Sequence, residues 1–227
     1  MEKPKEKANP EISQHLLEEI KHQAPGIVDL GGVKIRTSPG VFPPKSSFSD
    51  SSEKLHSVFG EVRGRSVLDI GTGTGVQAIQ AAVAGAREVC ATDINPLAIA
   101  CARENVRLNG VEAVVTVIES DLFEKIPPGR TFDLIIANLP ITDLPVEGVV
   151  EAALYDSGMK THRRLFAEAG GRLSPGGVLV MTHADLLGRD DFTIFEDLLT
   201  RYGLRPDTYV ETKDLGYTWR MYRIVAS

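Results

Sequence analysis

Two aspartates and three glycines at fixed spacing carry the clearest chemistry in this chain: Val67-Leu68-Asp69-Ile70-Gly71-Thr72-Gly73-Thr74-Gly75, then Ala91-Thr92-Asp93-Ile94. An apolar run bounded by glycines reads as a buried parallel strand. The glycines let the backbone turn sharply, or approach a ligand where a side chain would block it. An acid that ends the next strand can accept both hydroxyls of a ribose. Together these residues predict a pocket for a nucleoside-containing cofactor. A dinucleotide turn requires G-x-G-x-x-G, with a pyrophosphate over a helix N-terminus. Here Val76 stands where that pattern needs its third glycine. Asp69 would repel a pyrophosphate and can receive an ammonium group. A nicotinamide dehydrogenase is disfavoured on both counts.

At these residues the sequence resembles the class I S-adenosylmethionine-dependent methyltransferases, whose first two motifs look like VLDIGTGTG and ATDIN. The resemblance implies an α/β, Rossmann-like fold: a seven-stranded, mostly parallel sheet with helices on both faces and an antiparallel C-terminal strand. It implies S-adenosyl-L-methionine as cofactor, with Asp69, Gly71, Gly73 and Gly75 around the methionine end and Asp93 on the ribose. Ile94 would lie on the adenine face, and Asp121 at the adenine amino group with Leu122 beside it.

Asn138-Leu139-Pro140-Ile141 bears on the methyl acceptor. It resembles the Asn-Pro-Pro-Tyr motif of methyltransferases that act on planar nitrogens. In those enzymes the asparagine carbonyl and a neighbouring backbone carbonyl accept hydrogen bonds from the NH2 group, and the asparagine also borders the cofactor. Asn138 and Pro140 match and are the catalytic candidates, with the Leu139 carbonyl as second acceptor. Leu139 replaces the first proline and Ile141 the aromatic. Loss of that ring removes roughly 1–3 kcal/mol of base stacking, which argues against a nucleobase. Gly40-Val41-Phe42-Pro43-Pro44, with Asp50, Ser51, Ser52 and Glu53 downstream, resembles the release-factor glutamine methyltransferase and ribosomal-protein methyltransferase group. So does Ala153-Leu154-Tyr155-Asp156 leading into His162-Arg163-Arg164. Phe42, Leu139, Ile141 and Tyr155 are therefore the substrate-contact candidates. The resemblance implies methyl transfer to a planar nitrogen, a protein glutamine amide or similar. The alternatives are a small-molecule O- or N-methyltransferase and a non-catalytic partner subunit of the same fold. A hydroxyl acceptor would need a general base, for which Asp143, Asp156, His162 and His183 are the candidates.

The elements that must position these residues follow from pattern. Residues 1–10, alternating Lys and Glu with two prolines, read as a disordered tail. Residues 11–60 supply an amphipathic helix and a hairpin around Gly31-Gly32, expected to cover the pocket, and residues 61–227 the catalytic domain. Strands are predicted at 66–70, 88–92, 113–118, 132–137 and 177–182, alternating with helices, and a terminal antiparallel pair at 208–212 and 219–226. Asn95-Pro96 is a strong helix start, and Leu97, Ala98, Cys101 and Leu108 mark that helix's expected buried stripe. Ser174-Pro175-Gly176-Gly177 reads as the turn before the fifth strand. The stretch 139–158, long for a loop, is expected to close over the acceptor opposite Phe42.

The 227 residues suit one domain, and a net charge of −6 gives no global field toward nucleic acid or anionic membrane. Lys160, Arg163 and Arg164 form a local basic patch that reads as a solvated helix face. Cys90 and Cys101 read as core thiols, and no Cys/His spacing suggests a metal. With no apolar stretch near ~20 residues and no signal-peptide pattern, a cytoplasmic protein is expected. Protein and small-molecule acceptors both stay open as partners.

Overall fold

The alternating apolar runs resolve into one seven-stranded sheet in a computed structural model that describes residues 10–45, 54–185, 191–214 and 216–227. Residues 1–9 of the predicted tail and the segment Asp50 to Glu53 lie outside the described residues, and Pro10 already belongs to the first helix. Helix α1 (Pro10–His22) and the hairpin β1 (Ile27–Leu30) and β2 (Val33–Arg36) precede the core. The core runs β3 (Ser66–Ile70), α2 (Val76–Val83), β4 (Glu88–Asp93), α3 (Pro96–Leu108), β5 (Val115–Glu119) and β6 (Phe132–Ala137). It continues through α4 (Lys160–Arg172), β7 (Leu173–Ala184), α5 (Asp191–Arg201), β8 (Leu204–Asp214) and β9 (Tyr217–Ala226). The strand order is β5-β4-β3-β6-β7-β9-β8. β3 to β7 are parallel, and β9 runs antiparallel to both β7 and β8. This is the Rossmann-like sheet with antiparallel C-terminal strands that the motifs imply.

Every residue of β3 is buried, as a central strand covered on both faces requires. Alternate side chains divide between two apolar layers. Val67, Leu134, Val178 and Val180 meet α2 and the hairpin on one face. Leu68, Ile70, Ile135 and Leu179 meet Leu165 and Phe166 of α4 and Phe195 of α5 on the other. The strand order reverses between β3 and β6, the point where open α/β sheets bind ligands. There Ile70 pairs with Ala137, which brings the next residues, Gly71 and Asn138, out side by side.

Three sequence expectations need correction. β7 begins at Leu173, so Ser174 to Gly177 belongs to the strand, with a register shift opposite Phe132 and Leu134. Asp133 explains it: one carboxylate oxygen accepts from Ser66 N and Oγ at 2.9 Å each, and the other from Ser174 Oγ at 2.6 Å, tying three strand starts together. The C-terminal pair is longer than its apolar residues suggest. The buried face of α3 is Ala98, Ile99, Cys101, Ala102, Asn105 and Val106, whereas Leu97 and Leu108 are exposed.

The asparagine on that face is there for the hairpin. Asn105 Oδ1 accepts Arg36 N at 2.8 Å and its Nδ2 donates to Arg36 O and Thr74 O at 2.9 Å. Asn109, one turn on, repeats the pairing with Lys34, accepting its N–H at 3.0 Å and donating to its carbonyl at 2.7 Å. Two side-chain amides at i and i+4 thus pair with the edge of β2 as a neighbouring strand would. Helix α1 is held by Gly40 N donating to Ile20 O and by a cluster of Leu17, Ile20, Leu154 and Tyr155 with Phe42 packed on it. Among the described residues no helix is long and apolar enough to cross a membrane.

Candidate active site

The glycine turn is built from three left-handed residues with different neighbours. Gly71 (φ 69°), Gly73 (φ 55°) and Gly75 (φ 84°) sit where L side chains are strained. A Cβ on Gly75 would lie 3.2 Å from Ala102 of α3, and one on Gly71 would lie 3.3 Å from Leu139 Cδ2. A Cβ on Gly73 would meet nothing within 4 Å. Gly73 therefore fronts open space, while the two outer glycines allow close approach of α3 and of the acceptor loop.

Asp69 is buried, and its Oδ2 accepts the Thr72 hydroxyl at 2.6 Å and the Ala78 N–H at the head of α2 at 3.2 Å. Burial nevertheless pushes its carboxyl up to about 7; the Thr72 and Ala78 bonds oppose this and the nearby Asp93 charge adds to it. Asp93, ending β4, accepts Gly73 N and Asn95 N at 2.9 Å, one on each oxygen. Burial raises it too, against those backbone bonds. Two desolvated carboxylates beside one turn create a demand for positive charge. Asn95 caps α3 through Leu97 N at 2.9 Å and donates at 2.9 Å to Gly40 O, so the loop carrying Phe42 is anchored at the same corner. Ile94 is half-exposed beside it.

After β5 the chain turns through Leu122, one of two non-glycine residues with positive φ among those described (48°). Asp121 is paired with Arg164 at 2.9 Å, so one residue of the predicted basic patch is spent on the predicted adenine contact. Arg163 donates to Gly158 O at 3.2 Å. After β6, Asn138 Oδ1 accepts the Thr182 hydroxyl at 2.5 Å. This contact fixes the orientation of the side chain. Leu139 is buried over Gly71, while Pro140 and Ile141 are half-buried.

Pro140 and Ile141 also line a partly open cavity of about 100 Å³ whose far wall holds Asp156, His162 and His183. Thr142 pairs with Tyr155, and Asp156 N donates to Thr142 O at 2.9 Å, which fastens the far end of the long loop to the acceptor motif. His162 Nδ1 lies 2.6 Å from Asp156 Oδ2. Burial alone would raise the Asp156 carboxyl. The His162 ring and the Thr161 and His162 backbone N–H groups outweigh it and hold the carboxyl below its usual range. His183 stacks on Phe195 at 4.4 Å, and burial lowers its pKa to about 3, aided by His162 and opposed by the Asp191 backbone. No group of three or more His, Cys, Asp or Glu among the described residues could hold a metal ion.

The structure thus brings Asp69, Gly71, Gly73, Gly75, Asp93 and Ile94 to one corner, with Asn138, Leu139, Pro140 and Ile141 across the strand reversal. Asp121 and Leu122 stand at the next strand end. Phe42 and Tyr155 do not face each other across a pocket. Both join the α1 cluster, where Tyr155 is 8% exposed. Sequence reading found Asn95 as a cap and missed Asn105 and Thr182. Asn105 was discernible as a polar residue in an apolar helix pattern. Thr182 becomes visible only once Ala137 is paired with Met181.

Comparison with known proteins gives the family. Residues 32–202 match the family model "Methyltransferase small domain". A putative protein N5-glutamine methyltransferase of Methanocaldococcus jannaschii is 32% identical over 171 residues, which is 73% of this chain and 83% of the relative. A release factor glutamine methyltransferase of Deinococcus radiodurans is 34% identical over 200 residues, covering 80% and 68%. Among solved structures, a 16S rRNA methyltransferase of T. thermophilus in complex with AdoMet and guanosine superposes with a TM-score of 0.64 at 22% identity. That likeness covers 90% of this chain and 50% of the other, and it extends to the fold.

Proposed function

The chain belongs to the methyltransferase small domain family and is an S-adenosylmethionine-dependent methyltransferase, and on that premise we propose that it methylates a planar amide nitrogen of a protein, a glutamine side chain fitting best. The observation that carries this reading is the seat of the acceptor motif. Asn138, its side chain fixed by Thr182, emerges beside Gly71, and Leu139 packs on that glycine's backbone. An acceptor held by Asn138 Oδ1 and the Leu139 carbonyl would therefore border the methionine end of the cofactor. The two relatives described above carry glutamine methyltransferase names over most of their length.

The cofactor supplies an electrophilic methyl on a sulfonium, whose thioether leaves without acid assistance. The residues present fit it: the raised Asp69 and Asp93 carboxyls suit its ammonium and ribose hydroxyls, and the open face of Gly73 leaves room against the backbone. Ile94 would cover the adenine. Asp121, with Leu122 behind it, would accept from the adenine amino group while keeping or releasing Arg164. Asn138 and the Leu139 carbonyl hold both amide hydrogens, turning the nitrogen's lone pair toward the methyl. Orientation of this kind supplies much of the rate in such a displacement. Pro140 stiffens the turn that presents the carbonyl, and Ile141 offers an apolar wall to the amide plane. Phe42 and Tyr155 reach the acceptor by anchoring the loops that border it. Residues 11–60 act as the cover of this site and 61–227 as the catalytic unit.

A labelled-methyl assay against purified release factor, and against the protein, RNA and small-molecule fractions of a lysate, tests the reading. It predicts label on protein, a methylated glutamine by mass spectrometry, and a loss of more than ~10²-fold in turnover for Asn138→Ala with cofactor affinity intact. Label confined to small molecules would replace it with a small-molecule acceptor.

A further inference from the structure

The last strand of the sheet order is long and open on its outer side. β8 pairs with β9 and ends the order, so among the described residues its other edge meets no strand. Such an edge presents a row of backbone donors and acceptors, a template for pairing with another chain, unless proline, a bulge or lysine blunts it. In β8 these devices stand at the ends: Pro206 and a register shift between Pro206 and Thr208 at one, Lys213 at the other. Between them Thr208 to Thr212 keeps a regular register with β9. Every residue from Asp207 to Glu211 is exposed, and the adjacent Tyr209 and Val210 are each 43% exposed. Neighbours along a strand point to opposite faces, so both faces of this edge carry exposed apolar surface.

We propose that β8 is a self-pairing edge, through which two copies of this chain join as antiparallel strands about a two-fold axis at Val210. This assembly does not depend on which acceptor the methyl-transfer site takes. The second copy is the occupant because the strand is complementary to itself. Under a two-fold perpendicular to the sheet, positions equidistant from the axis stand opposite one another. With the axis at Val210, that valine meets its own copy, Tyr209 meets Glu211, Thr208 meets Thr212 and Asp207 meets Lys213. The apolar, Thr–Thr and opposite-charge pairs are of the kinds that stabilise adjacent strands. Neighbouring registers fail. An axis at Tyr209 sets Asp207 against Glu211 and Arg205 against Lys213, and an axis at Glu211 opposes that carboxylate to its own copy. An axis at Thr208 places the irregularity of Pro206 to Thr208 inside the ladder. One face of the edge is also ordered in advance. The Arg220 guanidinium lies 4.4 Å from the Tyr209 ring and its Nε donates to Glu211 at 3.0 Å, so these side chains lose little freedom on pairing. The strand reversal at β3 and β6 is separated from β8 by β7 and β9, so both methyl-transfer sites stay clear of the joint.

A ladder this short belongs with the weaker interfaces, so the test is concentration-dependent association of the full-length protein. Sedimentation from low micromolar to near-millimolar concentration should show a mass rising from 24.6 kDa toward twice that value. Lys213→Glu replaces two attractive pairs by two repulsive ones and should weaken association about tenfold, as should Asp207→Lys. The two reversals together should restore it. Val210→Cys should give a disulfide-linked dimer on mild oxidation, because directly opposite Cα atoms of an antiparallel pair lie about 4.5–5.5 Å apart, within disulfide reach. Tyr209→Cys should not, since its two copies stand two positions apart along the ladder. The native Cys90 and Cys101 are buried and stay out of the reaction. Affinity for S-adenosylmethionine should be unchanged in every variant, which shows that each has folded. A protein that stays monomeric throughout overturns the proposal, as does a dimer that ignores the charge reversals. Cross-linking at position 209 in place of 210 overturns it too, because the axis then lies elsewhere.

Discussion

The raised carboxyl of Asp69 makes cofactor affinity a function of pH. Unliganded, it titrates at about 7, so it is mostly protonated at pH 5.5 and half ionised at pH 7. If the cofactor's ammonium sits on it, the bound form requires the carboxylate, and binding must expel whatever proton is there. Affinity should then rise by about 15-fold between pH 5.5 and 7 and flatten above. Over this range the ligand's own α-amino group remains largely protonated. Calorimetric titration with S-adenosylmethionine in two buffers of different ionisation enthalpy should count about one proton released at pH 5.5 and about half at pH 7. The Asp69→Asn protein should show weaker binding at pH 7.5 and a slope reduced to whatever Asp93 contributes. A flat wild-type profile, indistinguishable from that of the variant, would refute the reasoning. Asp69 would then be a cap on α2 that serves only Thr72 and Ala78.

The same shift has a stability counterpart, with the sign set by proton counts. Because the folded carboxyl titrates at about 7 against an ordinary 3.8, the folded protein binds more protons than the unfolded chain between those values. Stability is therefore full below about pH 4 and declines as pH rises through 7, by about 4 kcal/mol for three pKa units. Saturating cofactor should recover part of that decline, because it binds only the folded state.

Three further outcomes follow from the packing. Thr182→Val should leave cofactor affinity unchanged and lower turnover roughly tenfold, since Asn138 loses the hydroxyl that orients it; isothermal titration and a methyl-transfer assay would separate the two effects. Gly75→Ala should lower the thermal midpoint by the equivalent of about 1–3 kcal/mol, because φ is 84° and the new Cβ meets Ala102 at 3.2 Å; an unchanged midpoint would count against that packing argument. Asn105→Leu should cost about 2–4 kcal/mol in denaturant unfolding and raise amide exchange at Arg36, since the Arg36 N–H and the Arg36 and Thr74 carbonyls lose their partner inside the protein.

Much of the cofactor corner was legible in the sequence because local rules write it. Gly71, Gly73 and Gly75 are needed where backbone φ is positive, Asp93 ends its strand, and Asn95-Pro96 starts a helix by capping chemistry. β3 and β6 were legible because central strands are continuous apolar runs. Features made by partners distant in sequence were not. Leu97 and Leu108 sit at helical spacing, yet the hairpin settles on the face of α3 that carries Asn105 and Asn109. A hydrophobic count cannot weigh side-chain amides that pair with a strand edge. Strand β7 ran past Ser174 to Gly177 because Asp133, 41 residues earlier, holds Ser174. Phe42 and Tyr155 are substrate-contact candidates from the resemblance of the segments that carry them, and the structure packs both into the cluster under α1. That packing depends on an apolar stripe of α1 whose destination only the folded chain reveals.

The acceptor half follows a different logic, in which two fixed acceptors select for a group with two hydrogens. An in-line displacement needs the nucleophile's lone pair aimed at the methyl. Under the proposed reading Asn138 Oδ1 takes one hydrogen of the amide and the Leu139 carbonyl takes the other. Thr182 locks Asn138, while Leu139 rests against Gly71. The two acceptors are thus consecutive in sequence and both are fixed against the glycine turn. A hydroxyl brings a single hydrogen and would leave one of the two carbonyls without a use, and it would need a general base besides. An NH2 group uses both, and that is the physical reason for preferring the amide.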